Sequence, residues 1–124
     1  MTAAEYSRPA TSVRLACEEP VEEDGRRVLV DRLWPRGLRT DDATVDEWCR
    51  DIAPSAALRT WYSHDPARLE EFERRYRTEL LEPPRAAALQ HLREMAGTGR
   101  LTLLVGTEEP ALSQAAVLAH LLRD

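Results

Sequence analysis

The sequence contains no lysine, and all 17 of its basic residues are arginine. Arginine forms forked hydrogen bonds to carboxylates and phosphates, but a chain without lysine also uses arginine for solubility. A single arginine is therefore a weak functional signal here, and only its context can strengthen it. The net charge is −5 at pH 7, which argues against a protein that binds nucleic acid independently of sequence.

Long apolar runs are also missing. No stretch approaches the roughly 20 apolar residues of a membrane span, and the segment from Met1 to Ser12 has no apolar signal-peptide core. We therefore expect a cytoplasmic protein that has a flexible tail at residues 1–12 and does not contact membranes. Cys17 and Cys49 are far apart in sequence, which favours free thiols over a disulfide.

Histidines and known site motifs are scarce as well. His64, His91 and His120 lack the close spacing of metal ligands, so we expect no metal site and no cofactor. The glycine-rich phosphate loops GxGxxG and GxxxxGK[ST] and the nucleophile elbow GxSxG are missing. No basic helix has the pattern of a DNA-reading helix-turn-helix. These absences leave open whether the protein is an enzyme.

What is present is the pattern of a small α/β domain over residues 13–124. Residues 13–17, 27–32 and 101–106 are apolar runs of strand length, and the last suits a parallel strand covered on both faces. Amphipathic spacing and helix-start residues predict helices at 44–52, 56–62, 66–81, 85–96 and 111–122. The predicted fold is a single layered α/β domain with a short, mostly parallel sheet covered by helices.

The strand at residues 27–32 runs into the polar segment Asp31-Arg32-Leu33-Trp34-Pro35-Arg36-Gly37. In open α/β sheets, ligands bind beyond the carboxyl ends of the strands. If the strands at 27–32 and 101–106 are parallel, the loops after them open at the same edge. We expect Arg32, Arg36 and Arg59 to hold an anion there by forked hydrogen bonds. His64 is the candidate catalytic residue, because an imidazole changes charge near neutral pH.

Several candidates also have a structural interpretation. Asp31 could form an ion pair with Arg32 or Arg36 that holds the loop to the fold. Trp34 fits a core residue better than a stacking platform. Ser55 offers a helix start to an anion but fits a simple helix cap better than a nucleophile. Arg75 and Glu79, one turn apart, are predicted to pair with each other or to bind the loop above them.

Four motifs together resemble the YeaO-like branch of the domain-of-unknown-function family 488. They are DRLWPRG at 31–37, APS at 53–55, HDP at 64–66 and FxxRYxxEL at 72–80. The resemblance covers residues 13 to 122 and implies a compact bacterial α/β domain without an assigned activity. Its polar motif positions imply a set of candidate ligand-binding residues: Asp31, Arg32, Trp34, Arg36, Ser55, Arg59, Arg75 and Tyr76.

The chain departs from the family pattern on both outer parts of the sequence. Ala16-Cys17 ends the first strand where the family usually has Tyr-Asp. Glu108-Glu109 follows the last strand in place of a lysine and an acid, and Ser113-Gln114 replaces an Asn-His pair. Either this member has a different ligand, or that part of the site is dispensable.

Two functions are compatible with these observations. The first is a small enzyme or binding protein for an anionic small molecule, such as a phosphate, nucleotide or carboxylate. The second is a non-catalytic interaction module, for instance a homodimer, because no nucleophile–base pair and no metal-ligand set is recognisable. Neither function requires nucleic acid or a membrane as a partner.

Overall fold

The computed structural model describes residues 11–38, 44–107 and 109–123. Four strands form one all-parallel sheet in the order β1-β4-β2-β3. The strands are Thr11–Leu15 (β1), Arg26–Leu29 (β2), Glu47–Trp48 (β3) and Leu101–Val105 (β4). The predicted α/β fold with a short parallel sheet is confirmed.

Four α-helices pack on this sheet in the described part of the chain. They are Ala56–Tyr62 (α1), Leu69–Glu79 (α2), Arg85–Thr98 (α3) and Gln114–Arg123 (α4). The predicted helix at 66–81 is a 3-10 turn, Pro66–Arg68, followed by α2, and the one at 111–122 is likewise a 3-10 turn followed by α4. None of these helices is long and apolar enough to cross a membrane, as judged over the described residues.

The predicted helix at residues 44–52 is wrong. Glu47 and Trp48 instead pair with β2 as the short edge strand β3, and a 3-10 turn, Arg50–Ile52, follows. The apolar residues that suggested one helical face belong to two separate clusters. Val45 and Trp48 pack on one side of the sheet, whereas Ile52 lies in the main core on the other side.

The two faces of the sheet are covered differently. Val28, Leu103 and Val105 belong to the main core, which contains buried side chains from all four helices. On the opposite face, Leu29 and Leu104 form a smaller cluster with Ala16, which is covered by the side chains of Trp34, Leu38, Val45 and Trp48. The buried strand β4 therefore has apolar neighbours on both faces, as predicted, but the helices cover only one of them.

Several strand boundaries differ from the prediction, and the earlier end of β2 affects the site. β1 begins at Thr11, inside the predicted tail of residues 1–12, and residues 1–10 lie outside the described part of the chain. β2 ends at Leu29, although the Val30 N–H still bonds to the Leu104 carbonyl at 3.1 Å. Asp31 and Arg32 therefore lie beyond the strand, where the chain is free to turn.

Candidate functional site

Asp31 joins the carboxyl ends of β2 and β4 to the start of α4. Its Oδ2 accepts a hydrogen bond from the Gly106 N–H at 2.7 Å, and its Oδ1 accepts one from the Gln114 side chain at 2.8 Å. The Asp31 carbonyl also accepts a hydrogen bond from the Trp48 indole at 2.8 Å. The loops after β2 and β4 therefore meet at one edge of the sheet, which a parallel arrangement requires.

Gly106 makes this close approach possible. A Cβ atom at this position would lie 3.0 Å from the Cβ of Pro35 and 3.3 Å from Oδ2 of Asp31. Both distances are shorter than ordinary contacts between carbon and its neighbours. The loop that carries Arg32 packs against the end of β4 because residue 106 has no side chain.

A cleft of about 350 Å³ opens at this edge. Asp31 and Arg32 reach it from the end of β2, Arg59 from α1, and His64 from the turn after α1. The rest of its lining in the described residues consists of Leu33, Pro54, Tyr62, Ser63, Phe72, Thr107 and Gln114. Four of the residues singled out from the sequence thus line the same cleft.

The described lining of the cleft carries more positive than negative charge. Neither the Arg32 nor the Arg59 guanidinium forms an ion pair or hydrogen bond with another described residue. Asp31 is the one carboxylate in the described lining. Burial raises the pKa of Asp31, and the hydrogen bonds from Gly106 and Gln114 and the positive charge of Arg59 offset part of this rise.

The backbone beside the cleft adopts an uncommon conformation. Ser63 and His64 have φ values of 47° and 53°, a region that non-glycine residues rarely occupy. Ser63 ends α1, and the His64 ring packs edge-on against Tyr62, with ring centroids 5.7 Å apart. Consecutive left-handed residues cost energy that the surrounding structure must supply, and such residues concentrate at functional sites. This turn places the imidazole at the cleft.

The hydroxyl groups at the cleft already have partners. Tyr62 donates a hydrogen bond to the Leu112 carbonyl at 2.7 Å, and Ser63 donates one to the Thr60 carbonyl at 2.7 Å. The Thr107 hydroxyl accepts a hydrogen bond from the Glu109 N–H at 3.3 Å. Burial raises the pKa of Tyr62. The described residues therefore offer donors for an anion, but no hydroxyl that is bonded to His64.

Arg36 lies in a second, adjoining cleft of about 380 Å³. Cys17, Pro35 and Gly106 also line this second cleft, and Thr107 borders both clefts. The three arginines expected to act together are therefore divided, with Arg32 and Arg59 in the first cleft. The alternative ion pair of Asp31 with Arg32 or Arg36 is absent from the described contacts, and the Asp31 carboxylate instead accepts hydrogen bonds from Gly106 and Gln114.

Trp34 and Ser55 lie outside the first cleft and have structural contacts. Trp34 packs edge-on against Trp48, with centroids 5.3 Å apart, and donates to the Leu38 carbonyl at 2.7 Å. Ser55 caps α1 by accepting the N–H of Leu58 at 3.2 Å. Its own N–H and hydroxyl both donate to Glu79, so that carboxylate already occupies the start of α1.

Arg75 and Tyr76 on α2 are also not brought to the cleft. Arg75 bonds to Glu71 at 2.8 Å, and its guanidinium lies 4.1 Å from the centroid of the Trp61 ring. Of the two alternatives for Arg75 and Glu79, the mutual pair is not formed, and Glu79 instead binds the loop above it through Ser55. Tyr76 is fully buried and donates to the Ile52 carbonyl at 2.5 Å, and burial raises its pKa well above the usual value.

The candidate residues taken from the sequence do not include Leu33, Gly106 or Gln114. Gln114 had a signal, since it stands where the family pattern has another residue, and it donates to both Asp31 and the Val30 carbonyl. Glu108, the other departure in this region, lies outside the described residues. Within the described ranges, no group of three His, Cys, Asp or Glu side chains is arranged to hold a metal ion.

The fold and the site together define a class: a small all-parallel α/β protein with a charged cleft at the carboxyl edge of its sheet. The chain belongs to the DUF488-N3i family, described as the inactive DUF488-N3 subclade, whose profile matches residues 11–124. The resemblance seen in the motifs is thereby confirmed.

Two relatives show the extent of the likeness. The chain is 49% identical over 114 residues to the uncharacterized protein Rv3073c of Mycobacterium tuberculosis H37Rv, which covers 90% of this chain and 94% of the relative. It is 37% identical over 107 residues to the uncharacterized protein YeaO of Escherichia coli K12, covering 86% of this chain and 91% of the relative. No solved structure matches the chain.

Proposed function

We propose that this protein binds an anionic small molecule, a phosphate or carboxylate compound, in the first cleft without turning it over. The observation that carries the proposal is the pair Arg32 and Arg59, which line one cleft and whose guanidinium groups form no ion pair or hydrogen bond with another described residue. A guanidinium group presents several N–H donors in a fixed plane that matches the oxygens of a carboxylate or phosphate. His64 supplies a further donor on the same side.

Asp31 supports the proposal as a positioning residue. Its two carboxylate oxygens accept hydrogen bonds from Gly106 and Gln114, so the loop that bears Arg32 is held against β4 and α4. No direct ion pair between Asp31 and Arg32 is found among the described contacts, so Asp31 leaves the Arg32 guanidinium available to a ligand. Groups fixed before the ligand arrives bind it with a smaller loss of entropy.

Three observations favour binding over turnover. The hydroxyls of Tyr62, Ser63 and Thr107 already bond to the backbone. The described lining of the first cleft contains no cysteine, and nucleophilic catalysis needs an activated nucleophile next to a base. The matching family is described as an inactive subclade. His64 is therefore assigned to binding rather than to proton transfer.

A titration with inorganic phosphate followed by amide NMR tests this function. Signals of Arg32, Gly106 and His64 should shift to saturation. Arg32→Gln and Arg59→Gln should each raise the Kd about tenfold or more, because each removes a charge-assisted hydrogen bond. Arg26→Gln is the matched control: Arg26 is an exposed arginine at the opposite end of β2, and its loss should leave the Kd unchanged.

Other results would exclude the proposal. Unsaturated shifts spread over the surface would indicate weak ion pairing without a site. An equal loss of affinity in Arg26→Gln would assign binding to overall charge rather than to the cleft. The interaction-module alternative predicts no phosphate-dependent shift at all, so the same titration separates the two functions. Arg36→Gln reports whether the anion also reaches the second cleft.

A further inference from the structure

The apolar residues of the first cleft indicate what kind of anion it takes. Leu33 follows Arg32 directly and lines the cleft while 68% of it remains exposed. Parts of Pro54, Tyr62 and Phe72 also border the cleft. Small-molecule sites usually combine apolar walls with a few polar groups that fix orientation. A purely inorganic anion would use the arginines and leave these walls uncovered.

Hydrogen bonds of the residues before and after Leu33 in the chain hold it in its exposed position. Two residues earlier, the Asp31 carbonyl accepts a hydrogen bond from Trp48, and its carboxylate bonds to Gly106. One residue later, the Trp34 indole bonds to the Leu38 carbonyl. The leucine is therefore held at the cleft by its neighbours, although exposure of so large an apolar side chain gains no burial energy.

The other exposed large hydrophobic side chains do not share this position. In the described residues these are Val21, which is 47% exposed, and Leu81, which is 79% exposed. Neither lines the first cleft. Leu33 is distinguished from them because it lines the same cleft as Arg32 and Arg59, whose guanidinium groups form no ion pair or hydrogen bond with a described residue.

We infer that the ligand is an organic anion with an apolar group, an aryl or alkyl phosphate or carboxylate. The anionic end binds Arg32 and Arg59, and the apolar group covers Leu33. This inference rests on the proposed function and specifies its ligand class. Arg32 and Arg59 determine where the anionic end of the ligand binds. Because a bare anion leaves Leu33 uncovered, it binds less tightly than an anion with an apolar group.

A comparison of three probes tests the inference: inorganic phosphate, phenyl phosphate and benzoate. Phenyl phosphate should bind roughly tenfold more tightly than inorganic phosphate, because the ring covers Leu33. Leu33→Ser should weaken phenyl phosphate several-fold and leave inorganic phosphate unchanged. Leu81→Ser is the matched control, since it removes a comparably exposed leucine outside the cleft and should change neither affinity. Benzoate shows whether a carboxylate can replace the phosphate.

The outcomes separate the inference from the function on which it rests. If inorganic phosphate binds as tightly as phenyl phosphate, or if Leu33→Ser affects neither probe, the apolar part of the ligand is wrong and the anion site stands. If none of the three probes binds, the proposed function and the inference both fail. Because Leu33 is exposed, the serine variant should fold normally, and its unfolding midpoint checks this.

Discussion

At the scale of single residues, Asp31 explains how the site is assembled. Burial disfavours its charged form, and hydrogen bonds from Gly106 and Gln114 make up only part of that cost, so the pKa of Asp31 stays above its usual value. Burial of the Asp31 carboxylate therefore lowers the stability of the folded protein, while its hydrogen bonds fix the loop that carries Arg32. Costs of this kind are common where a fold places groups for binding.

The raised pKa of Asp31 has a measurable effect on stability. The folded protein holds this proton more tightly than the unfolded chain, so the free energy of unfolding falls as pH rises from the unfolded value of 3.8 through the folded pKa. Urea denaturation of the wild type and of Asp31→Asn at several pH values should show the wild type gaining stability, relative to the variant, as pH falls from about 7 towards 4. A difference that stays constant with pH would contradict this.

Because parallel strands end at one edge of a sheet, the sequence predicts that Asp31 and Arg32 lie at that edge. The sequence marks Arg59 and His64 only by their side-chain chemistry and their motif positions. It did not separate Arg36 from the other arginines. That separation depends on the contact of Pro35 with Gly106, two residues that are distant in sequence and meet only in the folded chain. Residue types and their order along the chain contain little information on such a contact.

At the scale of elements, the 3-10 turn Glu22–Asp24 connects three strands. The buried carboxylate of Asp24 accepts hydrogen bonds from Arg27 of β2 at 2.5 Å and from Arg14 of β1 at 2.7 Å. Its carbonyl accepts one from Thr102 of β4 at 2.7 Å. Burial alone would raise the pKa of Asp24, but the bonds from the Val21 N–H, Arg27 and Arg14 bring it below the usual value.

Removing the charge of Asp24 should be costly. In Asp24→Asn, the Arg27 guanidinium stays buried without a carboxylate, and breaking a buried pair in this way costs about 3–5 kcal/mol. Chemical denaturation measures the loss. Glu23→Gln, an exposed change in the same turn, should stay within about 0.5 kcal/mol of the wild type. A similarly small effect for Asp24→Asn would show that the pair contributes little.

The end of α1 allows a second test at this scale. Ser63 has a φ of 47°, which a Cβ atom disfavours and glycine does not. Ser63→Gly should therefore be more stable than Ser63→Ala by about 1 kcal/mol in chemical denaturation. Both variants lose the hydroxyl bond to Thr60, so their comparison isolates the backbone. Equal stabilities would mean that the turn relaxes when the side chain changes.

Helix positions followed from local sequence more readily than strand pairing did. Ser55 starts α1 at the predicted residue because a cap is a local contact. The edge strand β3 was missed, since its two residues are in a strand only because they pair with β2. The spacing of Val45, Trp48 and Ile52 imitates a helical face, although the chain passes from one side of the sheet to the other between them.

At the scale of the whole molecule, the fold gives the two cysteines different environments. Cys17 follows β1 and is exposed, whereas Cys49 follows the edge strand and is buried. Burial raises the pKa of Cys49 to about 11, so its reactive thiolate form is scarce at neutral pH. The N–H of Cys49 also bonds to the Leu29 carbonyl at 2.8 Å, which anchors this segment to β2.

Thiol labelling should therefore distinguish the two sites. The native protein should react with an aromatic disulfide reagent at one cysteine, and a second equivalent should react only in denaturant. Cys17→Ser should remove the fast reaction and leave the slow one. If both thiols reacted at similar rates in the native protein, the covering of Cys49 would have to open readily, and hydrogen exchange at the Cys49 amide would then be fast as well.

Gly106 limits how new chemistry could be engineered at this edge of the sheet. The first position after β4 is an obvious place to install a reactive side chain, because it borders Thr107, which faces both clefts. Yet the first atom of any side chain there meets Pro35 and the Asp31 carboxylate. Placing a reactive side chain at residue 106 would therefore require further substitutions at the residues that it meets. Because these residues contact each other, the effects of the single substitutions on stability would not add. A laboratory selection that accepts one substitution at a time would discard the substitution of Gly106. A library that varies residues 31, 35 and 106 together could retain it.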